Sequence, residues 1–105
     1  MQIIIDLDGT ICSEEKQFSR SLAQPMAGAA EQLDRLYKEG HTLIIYSARG
    51  WQEFEMTADW LKRHQIPYHQ LVMGKPTGDV WIDDRAIRFE GWEKIPAQLS
   101  GIKKP

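Results

Sequence analysis

The stretch IIIDLDGTI, residues 3–11, runs three isoleucines into two aspartates that are separated by one residue. The apolar residues 2–6 predict a central parallel strand that is covered on both faces. Side chains two positions apart on an extended chain project to the same side, so Asp6 and Asp8 share one face of the strand end. Two like charges placed in this way repel each other, and the stretch therefore indicates a site that holds a cation.

Strands and helices alternate along the rest of the chain. Apolar residues at helical spacing predict one helix between Pro25 and Gly40 and a second from Trp51 to about His64, after a polar loop over residues 12–24. The remaining predicted elements are strands at Thr42–Tyr46, Tyr68–Met73 and Val80–Ile82, an edge strand at Ala86–Phe89 and a terminal helix around Trp92–Leu99. This order predicts an α/β fold, a three-layer Rossmann-like parallel sheet with helices on both faces.

Length and composition limit the classes of protein to consider. The chain of 105 residues predicts one domain, residues 1–105, with a frayed tail from Gly101 onward. A formal net charge of -2 argues against a nucleic-acid partner. The single cysteine, Cys12, favours a reducing compartment, and neither a bilayer-spanning apolar run nor a signal-peptide pattern is present. We therefore expect a soluble cytoplasmic protein without a membrane partner.

Polar residues follow the predicted strands at their carboxyl ends, where open parallel sheets bind ligands. Asp6 and Asp8 follow the first strand, and Ser47 follows the second. Asp83 and Asp84 follow the predicted strand Val80–Ile82 and add two more carboxylates to the same crevice. Such an oxygen-rich set of ligands suits a hard ion such as Mg²⁺.

The same crevice contains groups that can hold a phosphate. Gly9 allows a sharp turn that exposes backbone N–H groups, and Ser47 offers a hydroxyl beside another N–H. Lys75 adds a positive charge. A carboxylate, a metal ion, a hydroxyl and a lysine are the parts that phosphoryl transfer needs, with one aspartate attacking phosphorus and the other handling the proton.

Four motifs, DLDGT (6–10), IIYS (44–47), Lys75 and VWIDD (80–84), occur in this order along the chain. In this respect the sequence resembles the haloacid dehalogenase (HAD) superfamily over residues 2–90. The resemblance implies that Asp6 forms the aspartyl-phosphate and that Asp8 is the general acid and base.

The resemblance also assigns the remaining residues. It implies that Lys75 stabilises the charged intermediate. Ser47 would bind the phosphoryl group, and Leu7, Asp8, Ala48 and Lys75 are further phosphate-binding positions. Mg²⁺ would be held by Asp6, by the backbone carbonyl of Asp8 and by Asp83, with Asp84 as a further metal-site residue that supports the metal waters.

Most members of the superfamily are phosphatases, and Asp8 argues against the dehalogenase branch, which lacks an acid at that position. The segment KPTGDVWIDDRA, residues 75–86, looks like small capless members associated with polysaccharide synthesis, which implies a small phosphorylated substrate such as a sugar phosphate. Residues 11–24 are too few for a folded cap. A site without a cap must be shielded from water in another way. We expect that a neighbouring copy of the chain in a homo-oligomer, rather than a large substrate, covers it.

Two other functions remain open. A phospho-accepting receiver uses similar groups, but its phosphorylated aspartate follows a later strand, and no acid follows Met73 here. A catalytically inactive HAD domain could serve as a binding module. Arg49 and Trp51 lie beyond Ser47 at the mouth of the crevice, where both could contact a leaving group, although Trp51 is rather expected in the core because it begins an amphipathic helix. Cys12 is expected to be a small buried apolar residue.

Overall fold

A computed structural model describes residues 1–102 of the protein, and most of the tail predicted to fray lies outside this range. In the described part, the strands are β1 (Gln2–Asp6), β2 (Thr42–Tyr46) and β3 (Gln70–Val72), and the α-helices are α1 (Ala29–Lys38), α2 (Phe54–Arg63) and α3 (Ile95–Ser100). Short 3₁₀ helices occupy Gln17–Leu22, Trp51–Glu53 and Trp92–Lys94. None of the helices described is both long and apolar enough to cross a bilayer.

The three strands form a parallel sheet in the order β1-β2-β3. Ile5 lies beside Ile45, and Ile45 lies beside Leu71, so these side chains share one face of the sheet, where all three are buried. Ile4 points to the other face and is 63% exposed, and β1 lies at an edge of the described sheet, so the expectation of a central strand covered on both faces is wrong. The α/β class predicted from the sequence is confirmed, and the main core lies on the face that carries Ile5.

Helix α1 begins later than the sequence predicted. Its buried residues, Ala29, Leu33 and Leu36, recur at the spacing of one helical face. Gly28 precedes the helix with a φ of +81°, and a Cβ at this position would stand 3.2 Å from the Cβ of Trp92. The left-handed glycine therefore both sets the helix start and allows the C-terminal segment to pack closely against it.

The expectation that Trp51 is a core residue is wrong. Trp51 belongs to the 3₁₀ helix before α2, and it is 60% exposed, whereas Trp60 within α2 is buried. The reason is geometric: the apolar face of α2 is set by α-helical spacing, which starts only at Phe54.

The predicted strands Val80–Ile82 and Ala86–Phe89 are absent from the described structure, and all residues from 76 to 86 are exposed. Val80 is 75% and Ile82 is 96% exposed. A strand of only three residues, 80–82, would form few hydrogen bonds with a neighbouring strand. These bonds would have to offset the conformational entropy that is lost when the segment is ordered. Pairing them beside β1 would also bring Asp83 and Asp84 toward the aspartates that end β1, and like charges repel. The sheet accordingly ends at three strands.

Candidate active site

The first motif forms a tight turn at the end of β1. The carbonyl oxygen of Leu7 accepts N–H groups from residues 10–12 at 2.8–3.2 Å, and Gly9, with a φ of +86°, donates its N–H to the carbonyl of Cys12 at 2.8 Å. The left-handed conformation explains why glycine stands here. The turn was expected to expose backbone N–H groups to an anion, but the N–H groups of residues 9–12 are paired within the turn.

The loops that follow β2 and β3 are hydrogen-bonded to each other. The Lys75 N–H donates to the Ser47 carbonyl at 2.9 Å, and the Gly74 N–H donates to the Arg49 carbonyl at 2.8 Å. This pairing places the Lys75 ammonium group against the carboxylate of Asp6. Three of the residues predicted for the site therefore lie at the carboxyl ends of their strands, as open parallel sheets require.

Two neighbouring side chains hold the carboxylate of Asp6, which nevertheless remains accessible to solvent. One oxygen contacts Lys75, and the other accepts a hydrogen bond from the Thr10 hydroxyl at 3.1 Å. The Asp6 side chain is nevertheless 41% exposed, whereas Lys75 is 18% exposed. An oriented carboxylate that remains accessible and has a cation beside it is suited to nucleophilic attack on an electrophile from solvent.

Asp8 is clamped by Arg49. The guanidinium donates from Nη2 to Asp8 Oδ1 at 2.7 Å and from Nε to Oδ2 at 3.0 Å, and its third nitrogen donates to the Thr57 hydroxyl at 2.9 Å. Burial by itself lowers the pKa of Arg49, but the hydrogen bonds and negative charge of Asp8 outweigh it and raise that pKa above its usual value. Arg49 is a fixed, charged and bidentate partner of Asp8.

This role of Arg49 was not predicted from the sequence. The position of Arg49 suggested a contact with the leaving group, whereas the residue is only 3% exposed and its side chain points at Asp8. The only signal in the sequence was the position of Arg49 two residues beyond Ser47, in a loop at a strand end. A buried arginine needs an acidic partner, but the sequence does not say which acid provides it.

Cys12 lies fully buried beside the same pair, with its Sγ 3.6 Å from Asp8 Oδ1. Burial and the nearby charge of Asp8 raise the pKa of the thiol to about 12. The thiol is therefore protonated at physiological pH and is not a nucleophile. Cys12 is buried as expected, but its thiol lies against the charged pair of Asp8 and Arg49.

The predicted phosphate-binding residues differ in their exposure. Ser47 is fully buried, and its hydroxyl accepts the Arg49 N–H at 3.1 Å, whereas Ala48 is exposed. The side chain of Leu7 is also fully buried, which leaves only its backbone for such a contact. The phosphate-binding roles of Ser47, Ala48 and Leu7 remain predictions.

The acids of the fourth motif are not brought to the site in this structure. Asp83 and Asp84 are exposed, and Asp83 accepts the N–H of Arg85 at 2.7 Å. Within residues 1–102, no three histidine, cysteine, aspartate or glutamate side chains gather in a group that could hold a metal ion. The donors suit Mg²⁺ chemically, because the Asp6 carboxylate is accessible and Mg²⁺ often takes only one or two protein carboxylates. The metal assignment remains a prediction.

Neighbouring elements fix the walls of the site. Arg20 in the loop after the first motif pairs with Glu53 before α2 at 2.7 Å. The Trp60 indole donates to the Ala23 carbonyl at 2.9 Å, and the Trp92 indole donates to the Thr10 carbonyl at 2.8 Å. The loop over residues 12–24 is thus tied to α2 and contains one short 3₁₀ helix, which fits a fold without a cap.

A parallel α/β sheet with an accessible aspartate, a clamped second acid and a lysine at its strand ends defines a phosphatase of the HAD type. The family model described as "5' nucleotidase, deoxy (Pyrimidine), cytosolic type C protein" matches residues 13–97, and the chain belongs to this family. The match includes Ser47, Arg49 and Lys75 and starts after Asp6 and Asp8. The protein is accordingly a phosphoric monoester hydrolase, and the receiver interpretation is not supported.

Solved structures share this fold. A crystal structure of an MCSG target from Vibrio cholerae is 27% identical, has a TM-score of 0.72, and is matched over 98% of this chain and 90% of its own. A chain of the Pnkp1/Rnl/Hen1 complex is 26% identical with a TM-score of 0.63, over 78% of this chain and 30% of that one. A chain of the Pnkp1/Rnl/Hen1 RNA repair complex, 23% identical with a TM-score of 0.62 over 97% of this chain and 32% of that one, shows the fold alone. No curated protein matches this sequence.

Proposed function

We propose that this protein hydrolyses a phosphomonoester through an aspartyl-phosphate on Asp6. The observation that carries the proposal is the accessible Asp6 carboxylate at the end of β1, held by Lys75 on one oxygen and by Thr10 on the other. Lys75 also supplies positive charge where the transferred phosphoryl group carries negative charge.

The reaction has two steps that this chain's residues can perform. An Asp6 oxygen attacks phosphorus, the ester P–O bond breaks, and Asp8 gives a proton to the leaving oxygen. Asp8 then takes a proton from water as that water attacks the phosphorus and releases Asp6. Both Asp8 oxygens accept hydrogen bonds from Arg49, and Oδ2, which accepts only the bond from Nε, keeps a second lone pair that can take up a proton as the base and carry it as the acid.

Magnesium is part of the proposal. We assign its ligands to Asp6, the Asp8 backbone carbonyl and Asp83, with Asp84 supporting the metal waters. When bound, the ion supplies positive charge that stabilises the phosphoryl group. Asp83 and Asp84 lie in the exposed segment 76–86, so metal binding would require this segment to approach the end of β1.

The substrate that we propose is small and carries its phosphate on a sugar. The resemblance of residues 75–86 to polysaccharide-associated proteins supports a sugar phosphate, and the description of the matched family names a deoxy pyrimidine 5'-nucleotidase. A nucleotide is itself a sugar phosphate with a base attached. We further propose a cytoplasmic location and a homo-oligomer that covers the open site.

A screen with purified protein tests the function. With Mg²⁺ present, we expect release of inorganic phosphate from at least one sugar phosphate or nucleotide in a panel of phosphate esters, and loss of that release when EDTA removes the ion. If no ester in the panel is hydrolysed, the proposal is wrong.

Asp83→Ala tests the metal assignment. Loss of this carboxylate should raise the Mg²⁺ concentration at half-maximal activity by about ten-fold or more, since even residues that only support metal ligands contribute that much to affinity. Asp79→Ala is the matched control, because Asp79 is an exposed acid in the same segment and has no role in the proposed site. A Mg²⁺ titration of activity that gives the same midpoint for Asp83→Ala and the wild type contradicts the assignment.

A further inference from the structure

Arg49 and Glu53 are the charged residues that lie buried in the part of the chain that the structure describes, with 3% and 8% of their surface exposed. They belong to two different ion pairs. Arg49 donates to both carboxylate oxygens of Asp8. Arg20, in the loop after the first motif, donates from its single nitrogen Nη1 to both carboxylate oxygens of Glu53 at 2.9 and 2.7 Å. The second pair has no assigned role in the proposed reaction.

Glu53 lies close to Arg49 as well as to Arg20. It directly precedes α2, and Thr57, whose hydroxyl accepts a hydrogen bond from Arg49 Nη1 at 2.9 Å, follows it by four residues. Residues at this spacing are neighbours on one side of a helix, with Cβ atoms about 5–6 Å apart. Burial lowers the pKa of Arg49, but the hydrogen bonds and charge of Asp8 raise it, and the charge of Glu53 adds to that rise. Glu53 is thus a second carboxylate within reach of Arg49.

The two carboxylates differ in what they would lose without an arginine. The side chain of Asp8 is 19% exposed, so water can solvate part of its charge. The side chain of Glu53 is 9% exposed, and a buried carboxylate without a cation is strongly unfavourable. If Arg20 were absent, Arg49 would therefore stabilise the protein more by turning toward Glu53 than by staying on Asp8.

We propose that Arg20 is a positioning residue for Asp8: it compensates the charge of Glu53 and thereby keeps Arg49 bound to Asp8. This inference rests on the proposed phosphatase function, in which Asp8 is the acid and base. In this role Arg20 needs no contact with the substrate, because it acts through Glu53 and Arg49. The loop over residues 12–24 thereby takes part in arranging the proposed acid and base.

Arg20→Met tests the proposal, because methionine is similar in length but carries no charge. The rate on glycerol phosphate should fall by about ten-fold or more, a part of the roughly 10²- to 10⁴-fold that general acid–base catalysis contributes. The rate on p-nitrophenyl phosphate should fall less, because its leaving group departs without a proton. Arg20→Lys keeps one charged nitrogen for both Glu53 oxygens and should stay near the wild type.

The double variant Arg20→Met/Glu53→Met separates charge compensation from a structural role. It removes the competing carboxylate, and replacing a buried ion pair by apolar residues of similar volume is often tolerated. We expect it to recover most of the rate that Arg20→Met loses. A double variant as slow as Arg20→Met, or an equal loss on both esters in Arg20→Met, overturns the inference. If Arg20→Met does not fold, a double variant far slower than the wild type overturns it alone.

Arg63→Met is the matched control. Arg63, at the end of α2, pairs with Asp59 at 3.4 Å and donates to the carbonyl oxygen of Ser21 at 3.2 Å, so it also joins the loop to α2. Its loss leaves the pair of Arg20 and Glu53 intact, and both rates should equal those of the wild type. A loss as large as that of Arg20→Met would show that attachment of the loop matters rather than charge, and would overturn the inference.

A crystal structure of Arg20→Met checks the geometry without any substrate. Arg49 is expected within hydrogen-bond distance of Glu53 and no longer bidentate on Asp8. An Arg49 that remains on Asp8 overturns the inference and leaves the proposed function standing. A wild-type protein that hydrolyses no phosphate ester overturns the proposed function, and the catalytic role of Arg20 with it, even where Arg49 moves in the variant.

Discussion

Asp6→Asn is expected to lower kcat by about four orders of magnitude or more, the scale seen when a covalent nucleophile is removed from an enzyme. An amide oxygen does not attack phosphorus as a carboxylate does, so the aspartyl-phosphate cannot form. The fold should remain, because asparagine has the same shape and its carbonyl oxygen can still accept the hydrogen bond from Thr10. Phosphate release measures the rate, and circular dichroism checks the fold.

Asp34→Asn provides the control for this variant. Asp34 is an acid on α1 that pairs with Lys38 and has a half-exposed side chain, and its replacement removes the same charge from a helix that contributes no residue to the proposed site. Its activity should equal that of the wild type. Wild-type turnover in Asp6→Asn, with the fold intact, would exclude Asp6 as the nucleophile.

The first two strands could be predicted to the residue. Gln2–Asp6 and Thr42–Tyr46 have the same bounds in the sequence prediction and in the structure. Both are apolar runs rich in β-branched residues; β1 ends at Asp6, and Ser47 directly follows β2. In these segments the intrinsic β-propensity of the residues and their position in the sheet favour the same structure.

The fourth predicted strand shows a case in which the two do not agree. Val80–Ile82 has the same kind of composition, but it is only three residues long and Asp83 follows it directly. Whether such a segment pairs depends on the edge available to it and on the charges that pairing brings together, and neither is encoded locally. The sequence therefore predicted a strand where the structure has an exposed segment.

The sequence predicted several residues of the candidate site, but not the hydrogen bonds that join them. The order of motifs identified Asp6 and Lys75, which the structure places in contact. The clamp of Arg49 on Asp8 joins residues 41 positions apart and depends on Thr57 in α2 for its third hydrogen bond. A contact of this kind arises from tertiary packing, so no local pattern in the sequence predicts it.

The clamp has a consequence for Asp8, the proposed acid and base. Bidentate hydrogen bonds from a buried arginine hold the Asp8 carboxylate in one orientation, with part of the side chain, 19%, still exposed. A base must point at the proton that it removes, and this arrangement fixes that direction before substrate binds. If Asp8 is the acid and base, as we propose, Arg49 is a positioning residue that acts through it.

Asp8→Asn should reduce kcat by about 10²- to 10⁴-fold, because general acid–base catalysis is lost in both steps. The loss should be larger for an alkyl phosphate such as glycerol phosphate than for p-nitrophenyl phosphate, since only the poor leaving group needs a proton as it departs. Steady-state rates on the two esters measure the difference. Equal losses on both would show that Asp8 is not the acid.

Arg49→Lys extends this test to the clamp. Lysine keeps the positive charge but cannot make the bidentate contact, so Asp8 loses its fixed orientation. We expect the same dependence on leaving group as in Asp8→Asn, with a smaller loss of rate. If Arg49 acts only through Asp8, the double variant should be no slower than Asp8→Asn alone, because two residues that work as a unit are not additive. A double variant whose rate loss equals the product of the two single losses would instead give Arg49 an independent role, such as direct contact with the phosphate.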